Sequence, residues 1–303
     1  MKFKLIFICI IAVHIKACQQ KDHFQTSESG DDTNINVQQL VSISDSLDLG
    51  NLPTSGAYLK EQSLKGENTS PYGYVVRRSK GFGNDGLKYP ILIYLHGAGS
   101  KGNSKTNPAD INKVDKDGAI RAIKLGLWNP KVAVPVFAPQ SSTSWNARNI
   151  KSFINYLINK YPNAINTDRI YLAGFSMGAK GTWTYLDKYG YENSLIAAAV
   201  TIAGAKDECN VESLKLMPFW AFHGQKDRTV PTNKTINLVD SFRAQYPSQK
   251  HQRLTLFTQD DFDGQYHSID HGVYDNTFWN KNQTGDNFDM NVVNWMLQYK
   301  RND

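Results

Sequence analysis

The 303-residue sequence has few cysteines, and its N-terminal apolar run is too short to cross a membrane. The nine apolar residues 5–13 would span about 14 Å as a helix, whereas the hydrocarbon core of a bilayer is roughly 30 Å thick. The mean hydropathy of −0.48 excludes a polytopic membrane protein. Of the three cysteines, Cys9 lies in the apolar run and Cys18 closely follows it. If Cys9 is removed with the apolar run and Cys18 carries a lipid, no cysteine remains within the chain to pair with Cys209.

A strong excess of positive charge is also missing. The chain has 34 Lys and Arg against 28 Asp and Glu, a net charge of +6. Three of the lysines, Lys2, Lys4 and Lys16, lie in the N-terminal segment, and without them the balance is 31 against 28, or +3. This excess is too small to predict a surface that binds nucleic acid.

Motifs for metals and cofactors are equally scarce. The sequence has no H-E-x-x-H motif, no C-x-x-C pair and no Walker loop. Asp260, Asp261 and Asp263 precede Gly264, but the other ligands of a calcium loop are missing, so we interpret this segment as a solvated acidic loop. The sequence therefore predicts neither a metal site nor a cofactor.

The N-terminus predicts export. Residues 1–17 contain lysines, the apolar run and a short junction, which is the layout of a signal peptide. The pair Ala17-Cys18 resembles the lipobox of bacterial lipoproteins, in which the cysteine carries the lipid. Lys16 and Ile15 depart from that motif, so an ordinary cleaved signal peptide is the alternative. We expect a protein of the bacterial cell envelope, periplasmic or at the cell surface, anchored to the membrane by lipid on Cys18.

The remaining chain divides into a tether and one domain. Residues 18–56 are rich in Ser, Asp, Asn and Gln, and they hold too few large apolar side chains to form a core, which predicts a flexible spacer. Residues 57–303 alternate strand-like and helix-like segments, as a mostly parallel α/β sheet with helices on both faces requires. The predicted strands are 74–78, 91–96, 134–138, 170–173, 197–202, 219–223 and 254–257, and the predicted helices are 149–161, 178–189, 232–246 and 290–299.

A candidate nucleophile follows the strand at 170–173. Gly174-Phe175-Ser176-Met177-Gly178 has the G-x-S-x-G pattern of a nucleophile elbow, between an apolar strand and a helix-like segment. The flanking glycines fit a strained turn in which side chains would collide with the strand and the helix. This context favours Ser176 as the nucleophile of an acyl-transfer enzyme.

Stabilising an oxyanion requires two backbone N–H donors. In folds that carry this elbow, one donor is the residue after the serine, here Met177, and the other lies in a turn after an earlier strand. Residues 91–95 form such a strand and open into the turn His96-Gly97-Ala98-Gly99. Ala98 is the preferred second donor and Gly99 the alternative. Without Ser176, the same turn would be an ordinary glycine turn after a buried strand.

A carboxylate that orients a histidine is expected just beyond another strand end. The run 219–224 leads into Gln225-Lys226-Asp227, which makes Asp227 the candidate acid, with Asp207 in reserve. His223 is expected to shape this turn without acting as the base.

The base is sought among seven histidines, in the chain order serine, acid, histidine. Only His251, His267 and His271 follow Asp227, and His251 is expected at the sheet end away from Ser176. We prefer His271, because Gly272 permits a tight turn and aromatic residues follow it. His267 is the alternative.

Taken together, these segments resemble the α/β-hydrolase serine esterases related to dienelactone hydrolase and polyhydroxybutyrate depolymerase, including bacterial proteins described as predicted peptidases. The resemblance extends over about residues 72–299. It is carried by LHGAGSKG (95–102), VFAPQSSTSW (136–145), DRIYLAGFSMGAKGTW (168–183), FWAFHGQKDRTVP (219–231) and HGVYDNTFW (271–279). Ala179-Lys180 departs from the glycine common after Gly178, and residues 280–289 look like an insertion.

The resemblance implies an α/β-hydrolase fold and a Ser176, Asp227 and His271 triad, with Trp145 and Gly99 at the substrate pocket. The implied activity is that of a serine carboxylesterase on short acyl esters, with acetyl or feruloyl groups on polysaccharide as candidate substrates. Two alternatives stay open, a serine peptidase of the same fold and a surface binding protein without activity.

Overall fold

The computed structural model describes residues 48–258, 264, 266–278 and 282–301. Within these residues, nine strands form one sheet with the order β1-β2-β4-β3-β5-β6-β7-β8-β9. The strands are β1 (Leu59–Ser63), β2 (Gly73–Arg78), β3 (Tyr89–Leu95), β4 (Val136–Gln140), β5 (Ile165–Phe175), β6 (Ala198–Ile202), β7 (Phe219–Gly224), β8 (Gln252–Phe257) and β9 (Gln283–Gly285). All seven strands predicted from the sequence are confirmed, and β1 and β9 were not predicted.

Six α-helices lie between or after these strands in the described part of the chain. They are α1 (Gly118–Lys124), α2 (Ala147–Lys160), α3 (Met177–Ser194), α4 (Asn233–Gln245), α5 (Asp270–Tyr274) and α6 (Val292–Met296). Short 3-10 helices cover Ala98–Ser100, Pro108–Lys116 and Val211–Leu214. The four predicted helices correspond to α2, α3, α4 and α6. None of the helices in the described ranges is long and apolar enough to cross a membrane.

The central strands are parallel. β4, β3, β5, β6, β7 and β8 pair in parallel, and the antiparallel strands β1, β2 and β9 lie at the two edges. Every residue of β3, β4, β6 and β7 is buried. Both sheet faces are therefore covered, as the continuous apolar runs in the sequence predicted.

The register places two loops beside each other. Leu95, the last residue of β3, pairs with Gly174 near the end of β5. The turn after β3 and the elbow after β5 therefore leave the sheet side by side, at the carboxyl ends of these strands. α3 begins at this end of the sheet and packs against β5 and β6. Ligand sites of open α/β sheets form outside such carboxyl ends of strands.

Part of the predicted tether belongs to the folded body. Leu49 and Leu52 are buried in the core, and the Asp48 carboxylate accepts hydrogen bonds from Nε and Nη2 of Arg169 at 2.7 and 2.8 Å. Arg169 is wholly buried in β5, and its Nη1 also donates to the Leu297 carbonyl at 2.7 Å. The boundary expected at residue 57 was wrong because two leucines and one carboxylate suffice to fix residues 48–52. Cys18 and residues 1–47 lie outside the described residues.

Replacing Asp48 with alanine is expected to destabilise the fold, because it leaves the buried charge of Arg169 without its carboxylate. We expect the free energy of unfolding to fall by about 1–3 kcal/mol. Urea unfolding measures this change. The matched control is Asp240→Ala, since Asp240 is exposed on α4, and its effect should stay within about 0.5 kcal/mol. Equal effects of the two variants would contradict the role given to Asp48.

Candidate active site

Ser176 occupies a backbone conformation that few residues other than glycine adopt. It lies between β5 and α3 with a φ of 54° and a ψ of −113°. Its N–H donates to the Ile202 carbonyl at 2.8 Å, and its own carbonyl accepts from the N–H of Lys180 at 3.0 Å. These bonds hold the strained turn that presents the serine hydroxyl above the sheet edge.

Three glycines make this turn possible by leaving room for neighbouring backbone. A Cβ on Gly174 would collide with the carbonyl group of Gly178, and a Cβ on Gly178 would collide with the carbonyl oxygen of Leu95. A Cβ on Gly204, in the turn after β6, would lie 2.5 Å from the carbonyl oxygen of Ser176. The pattern predicted that Gly174 and Gly178 must be glycines, and these close backbone contacts explain why. Gly204 is a third position at which a side chain would collide.

His267 lies beside Ser176. Its Nε2 is 3.0 Å from Ser176 Oγ, and its Nδ1 is 2.7 Å from Asp227 Oδ2. An ionised carboxylate only accepts hydrogen bonds, so Nδ1 carries the proton and Nε2 faces the hydroxyl as an acceptor. The ring also packs against Phe175, with 5.2 Å between ring centroids. Serine, imidazole and carboxylate therefore form one continuous hydrogen-bonded chain.

The preference for His271 was wrong about which imidazole reaches the serine. His271 lies in α5, and its Nε2 donates to the carbonyl of Lys116 at 3.2 Å. Gly272 does not form a tight turn. It is part of α5, and its missing side chain makes room for the ring of Phe278. The sharp bend lies instead at Tyr266, with a φ of 62°, directly before His267.

Asp227 is held by four donors. Oδ2 accepts from Nδ1 of His267 at 2.7 Å and from Nε2 of His223 at 3.1 Å. Oδ1 accepts from the backbone N–H groups of Thr229 at 2.7 Å and Val230 at 2.9 Å. Burial acts to raise the pKa of Asp227, but the hydrogen bonds from the two histidines and the Val230 N–H, together with the charge of His267, hold that pKa well below its usual range. The carboxylate therefore stays ionised beside the imidazole.

His223 also donates to Asp227, to the same oxygen that accepts from His267. Its Nε2 faces only acceptors, Asp227 Oδ2 and the Val230 carbonyl, each at 3.1 Å, so this nitrogen carries a proton. Nδ1 lies 2.8 Å from the hydroxyl of Thr235. The expectation that His223 shapes the turn is confirmed. Asp207, the reserve acid, is exposed and forms a salt bridge with Lys234.

The loop that carries His267 packs closely against Gly224, which lies three residues before Asp227. A Cβ on Gly224, the last residue of β7, would collide with the carbonyl oxygen of Tyr266. The loop that carries His267 can approach Asp227 this closely only because residue 224 has no side chain. This contact between distant parts of the chain selects His267.

The candidate oxyanion donors lie at the start of two helical turns. Met177 is the first residue of α3, and Ala98 is the first residue of the 3-10 helix after β3. The first N–H groups of a helix have no partner within the helix. Gly97 donates its N–H to Asp117 Oδ2 at 3.0 Å, so it is not available as the second donor. Ala98 and Gly99 are exposed at this turn, as the prediction requires.

Trp145 supports the turn and does not line the cleft beside Ser176. It is 6% exposed, its indole N–H donates to the His96 carbonyl at 3.1 Å, and its ring packs against the imidazole of His96. Burial lowers the pKa of His96 to about 4, so this imidazole is neutral, and its Nε2 accepts from the N–H of Ser141 at 3.0 Å. The described contacts of Trp145 are thus to the turn, and its predicted pocket role stays a prediction.

The half-buried carboxylate of Asp117 and the buried carboxylate of Asp270 connect the turn after β3 to the loop that carries His267. Asp117 accepts from the N–H of Gly97, and Asp270, three residues after His267, accepts from the N–H of Gly118 at 2.7 Å. Burial, followed by the charge of Asp270, raises the pKa of Asp117 to about 6, and burial raises that of Asp270 to about 6. Sequence patterns missed this pair because its members lie 153 positions apart and no motif joins them.

Comparisons with known proteins agree with this architecture. The family described as alpha/beta hydrolase of unknown function (DUF915) matches residues 97–217, which include Ser176 but end before Asp227 and His267. A thermostable esterase of known structure is 25% identical with a TM-score of 0.54, over 80% of this chain and 63% of that chain. The chain therefore spans less than two thirds of that esterase. With the sheet and the elbow, these similarities establish an α/β-hydrolase fold, as predicted.

A second solved structure, the feruloyl esterase module from Clostridium thermocellum, is 16% identical with a TM-score of 0.49, over 77% of this chain and 90% of that chain. No curated protein matches the chain in sequence. The likeness to the thermostable esterase agrees with the coarser part of the resemblance, to α/β-hydrolase esterases. The narrower relationships to polyhydroxybutyrate depolymerase and to predicted peptidases stay predictions.

The two histidines can be separated by substitution. We expect His267→Ala to lower hydrolysis of a chromogenic short-chain ester by about four to six orders of magnitude, because it removes the only imidazole within hydrogen-bond distance of Ser176 Oγ in the described residues. His271→Ala should keep at least about a tenth of the activity, and circular dichroism checks that both variants fold. The reverse order of activities would contradict the geometry.

Asp270 gives a prediction about stability and pH. Its pKa is raised from 3.8 to about 6, so its contribution to stability is full below about pH 4 and is lost as the pH rises through 6. Asp270→Asn keeps an acceptor for Gly118 but removes the charge. Between pH 4.5 and 7.5 we expect the variant to gain about 2 kcal/mol of unfolding free energy relative to the parent, measured by urea unfolding. An equal difference between the two proteins at both pH values would contradict this.

Proposed function

We propose that this protein is a serine hydrolase that cleaves esters through an acyl-enzyme intermediate. The observation that carries the proposal is the chain from Ser176 Oγ to His267 Nε2 at 3.0 Å and from His267 Nδ1 to Asp227 Oδ2 at 2.7 Å. A hydroxyl is a weak nucleophile unless an adjacent base takes its proton, and this imidazole is in place to do so.

In the first half of the reaction, His267 takes the Ser176 proton as Oγ attacks the ester carbonyl. The N–H groups of Met177 and Ala98 stabilise the oxyanion, and the imidazolium returns the proton to the departing alcohol. In the second half, His267 takes a proton from the water that attacks the acyl-enzyme, and the imidazolium returns a proton to Ser176 Oγ as the acid leaves. Asp227 fixes the imidazole tautomer and stabilises its charged form in both halves.

The size of the cleft supports short acyl groups as substrates. Next to Ser176 it has a volume of about 320 Å³, which is at the small end of ligand pockets. Small and apolar residues, Gly204, Ala205 and Val230, form much of its wall. A short acyl chain fits such a space better than a long fatty chain or a peptide.

Ser176→Ala tests the proposal because it removes the nucleophile while leaving the elbow glycines in place. We expect hydrolysis of 4-nitrophenyl butanoate to fall by about four to six orders of magnitude. Thr184→Ala is the control, since this hydroxyl on α3 donates to the carbonyl of Lys180, away from His267. Activity of Ser176→Ala within about tenfold of the parent would refute the nucleophile. A higher kcat/KM for peptides than for esters would favour the peptidase alternative.

We also propose that the enzyme is exported and anchored by lipid on Cys18, which lies outside the described residues. The support is the signal-like segment and the pair Ala17-Cys18. In the native host, Cys18→Ser should move the protein out of the membrane fraction or leave it uncleaved, since the predicted anchor is lost. Fractionation and mass spectrometry of the N-terminus measure this. A mature N-terminus at another residue in the parent protein would contradict lipidation.

A further inference from the structure

The cleft beside Ser176 has an apolar inner part and a charged rim. Four segments of the chain contribute to it, namely the start of α3, the turn after β6, the turn after β7 and the start of α4. The charged residues at the cleft are Lys180, Asp207 and Lys234, and all three are exposed. The cleft thus holds two cations and one anion.

Two of these charges compensate each other. Lys234 and Asp207 form a salt bridge. The hydrogen bond from Lys234, with a further contribution from the charge of Lys180, lowers the pKa of Asp207. Asp207 is therefore ionised at neutral pH, and the rim keeps one net positive charge.

Lys180 supplies that charge. It lies four residues after Ser176, about one helical turn or 6 Å along α3. Within the described part of the chain, no carboxylate lies within 4.0 Å of its ammonium group. Lys180 and Ser176 line the same cleft.

We propose that Lys180 makes the site selective for esters that carry a carboxylate within reach of its ammonium group, on the acyl or the alcohol portion. This inference rests on the proposed esterase function. The apolar wall holds the carbon chain of such a substrate, and the ammonium group attracts its far end. A neutral chain of the same length gains no such attraction, and a cationic chain is repelled.

The test compares matched charged and neutral esters. Mono(4-nitrophenyl) adipate and its methyl ester place the carboxylate, or its neutral counterpart, on the acyl portion. The butanoate esters of 4-hydroxybenzoate and of methyl 4-hydroxybenzoate do so on the alcohol portion. In each pair the readout is the ratio of kcat/KM for the charged ester to kcat/KM for the neutral ester. Intrinsic reactivity cancels when this ratio is compared between variants.

We expect Lys180→Gln to lower the ratio by about threefold to tenfold in one of the two pairs, which identifies the portion that occupies the cleft. Addition of 0.5 M salt should lower the ratio of the parent in the same pair. Lys188→Gln is the matched control, because Lys188 is exposed on the same helix about two turns further on and does not line the cleft. It should leave the ratio unchanged.

An unchanged ratio for Lys180→Gln in both pairs, with the neutral esters still hydrolysed by the parent, would overturn this inference alone. An equal fall for Lys188→Gln would also overturn it, because the effect would then come from overall charge. If the parent hydrolyses none of the four esters, the proposed function itself fails, and the inference fails with it.

Discussion

The positive φ of Ser176 is the constraint on which the site depends. A non-glycine residue at this conformation costs about 1–3 kcal/mol unless its surroundings hold it. Here the Ile202 carbonyl and the N–H of Lys180 bind the Ser176 backbone from two sides. The neighbouring backbone can approach Ser176 because residues 174, 178 and 204 are glycines. Packing between the sheet and α3 therefore stabilises the strained conformation of Ser176.

Close approaches between backbone segments also bring together the other groups of the candidate site. α3 begins directly against the end of β3, which brings Met177 to the turn that carries Ala98. Trp145 and neutral His96 support that turn from below. On the other side of Ser176, Gly224 lets the loop of His267 approach Asp227. Backbone contacts at strand ends thus set the positions of the candidate base and the candidate oxyanion donors.

The sequence predicted those parts of the fold that depend on local pattern. Apolar runs of parallel strands have a strong signature, and all seven predicted strands are present. Ser176 was identifiable because its elbow requires glycines at fixed positions, and Asp227 because it follows a strand end. Edge strand β1 has a mostly exposed pattern and gave no comparable signal.

The choice between His267 and His271 could not be made in the same way. Both lie in one loop within reach of Ser176, and the deciding contact joins Gly224 to Tyr266 across 42 positions. Gly272 suggested a turn, but its role is to accommodate Phe278. The carboxylate pair Asp117 and Asp270 likewise depends on tertiary contacts, as does the support given by His223 to Asp227. Patterns within single segments contain no information about such contacts.

The central claim is that His267 activates Ser176 as a nucleophile. Its most direct test is the reaction of the intact protein with a fluorophosphonate, followed by peptide mass spectrometry to locate the adduct. The account predicts one adduct, on Ser176, formed rapidly in the parent and in His271→Ala but not in His267→Ala. An adduct on another residue, or rapid modification of Ser176 in His267→Ala, would contradict it.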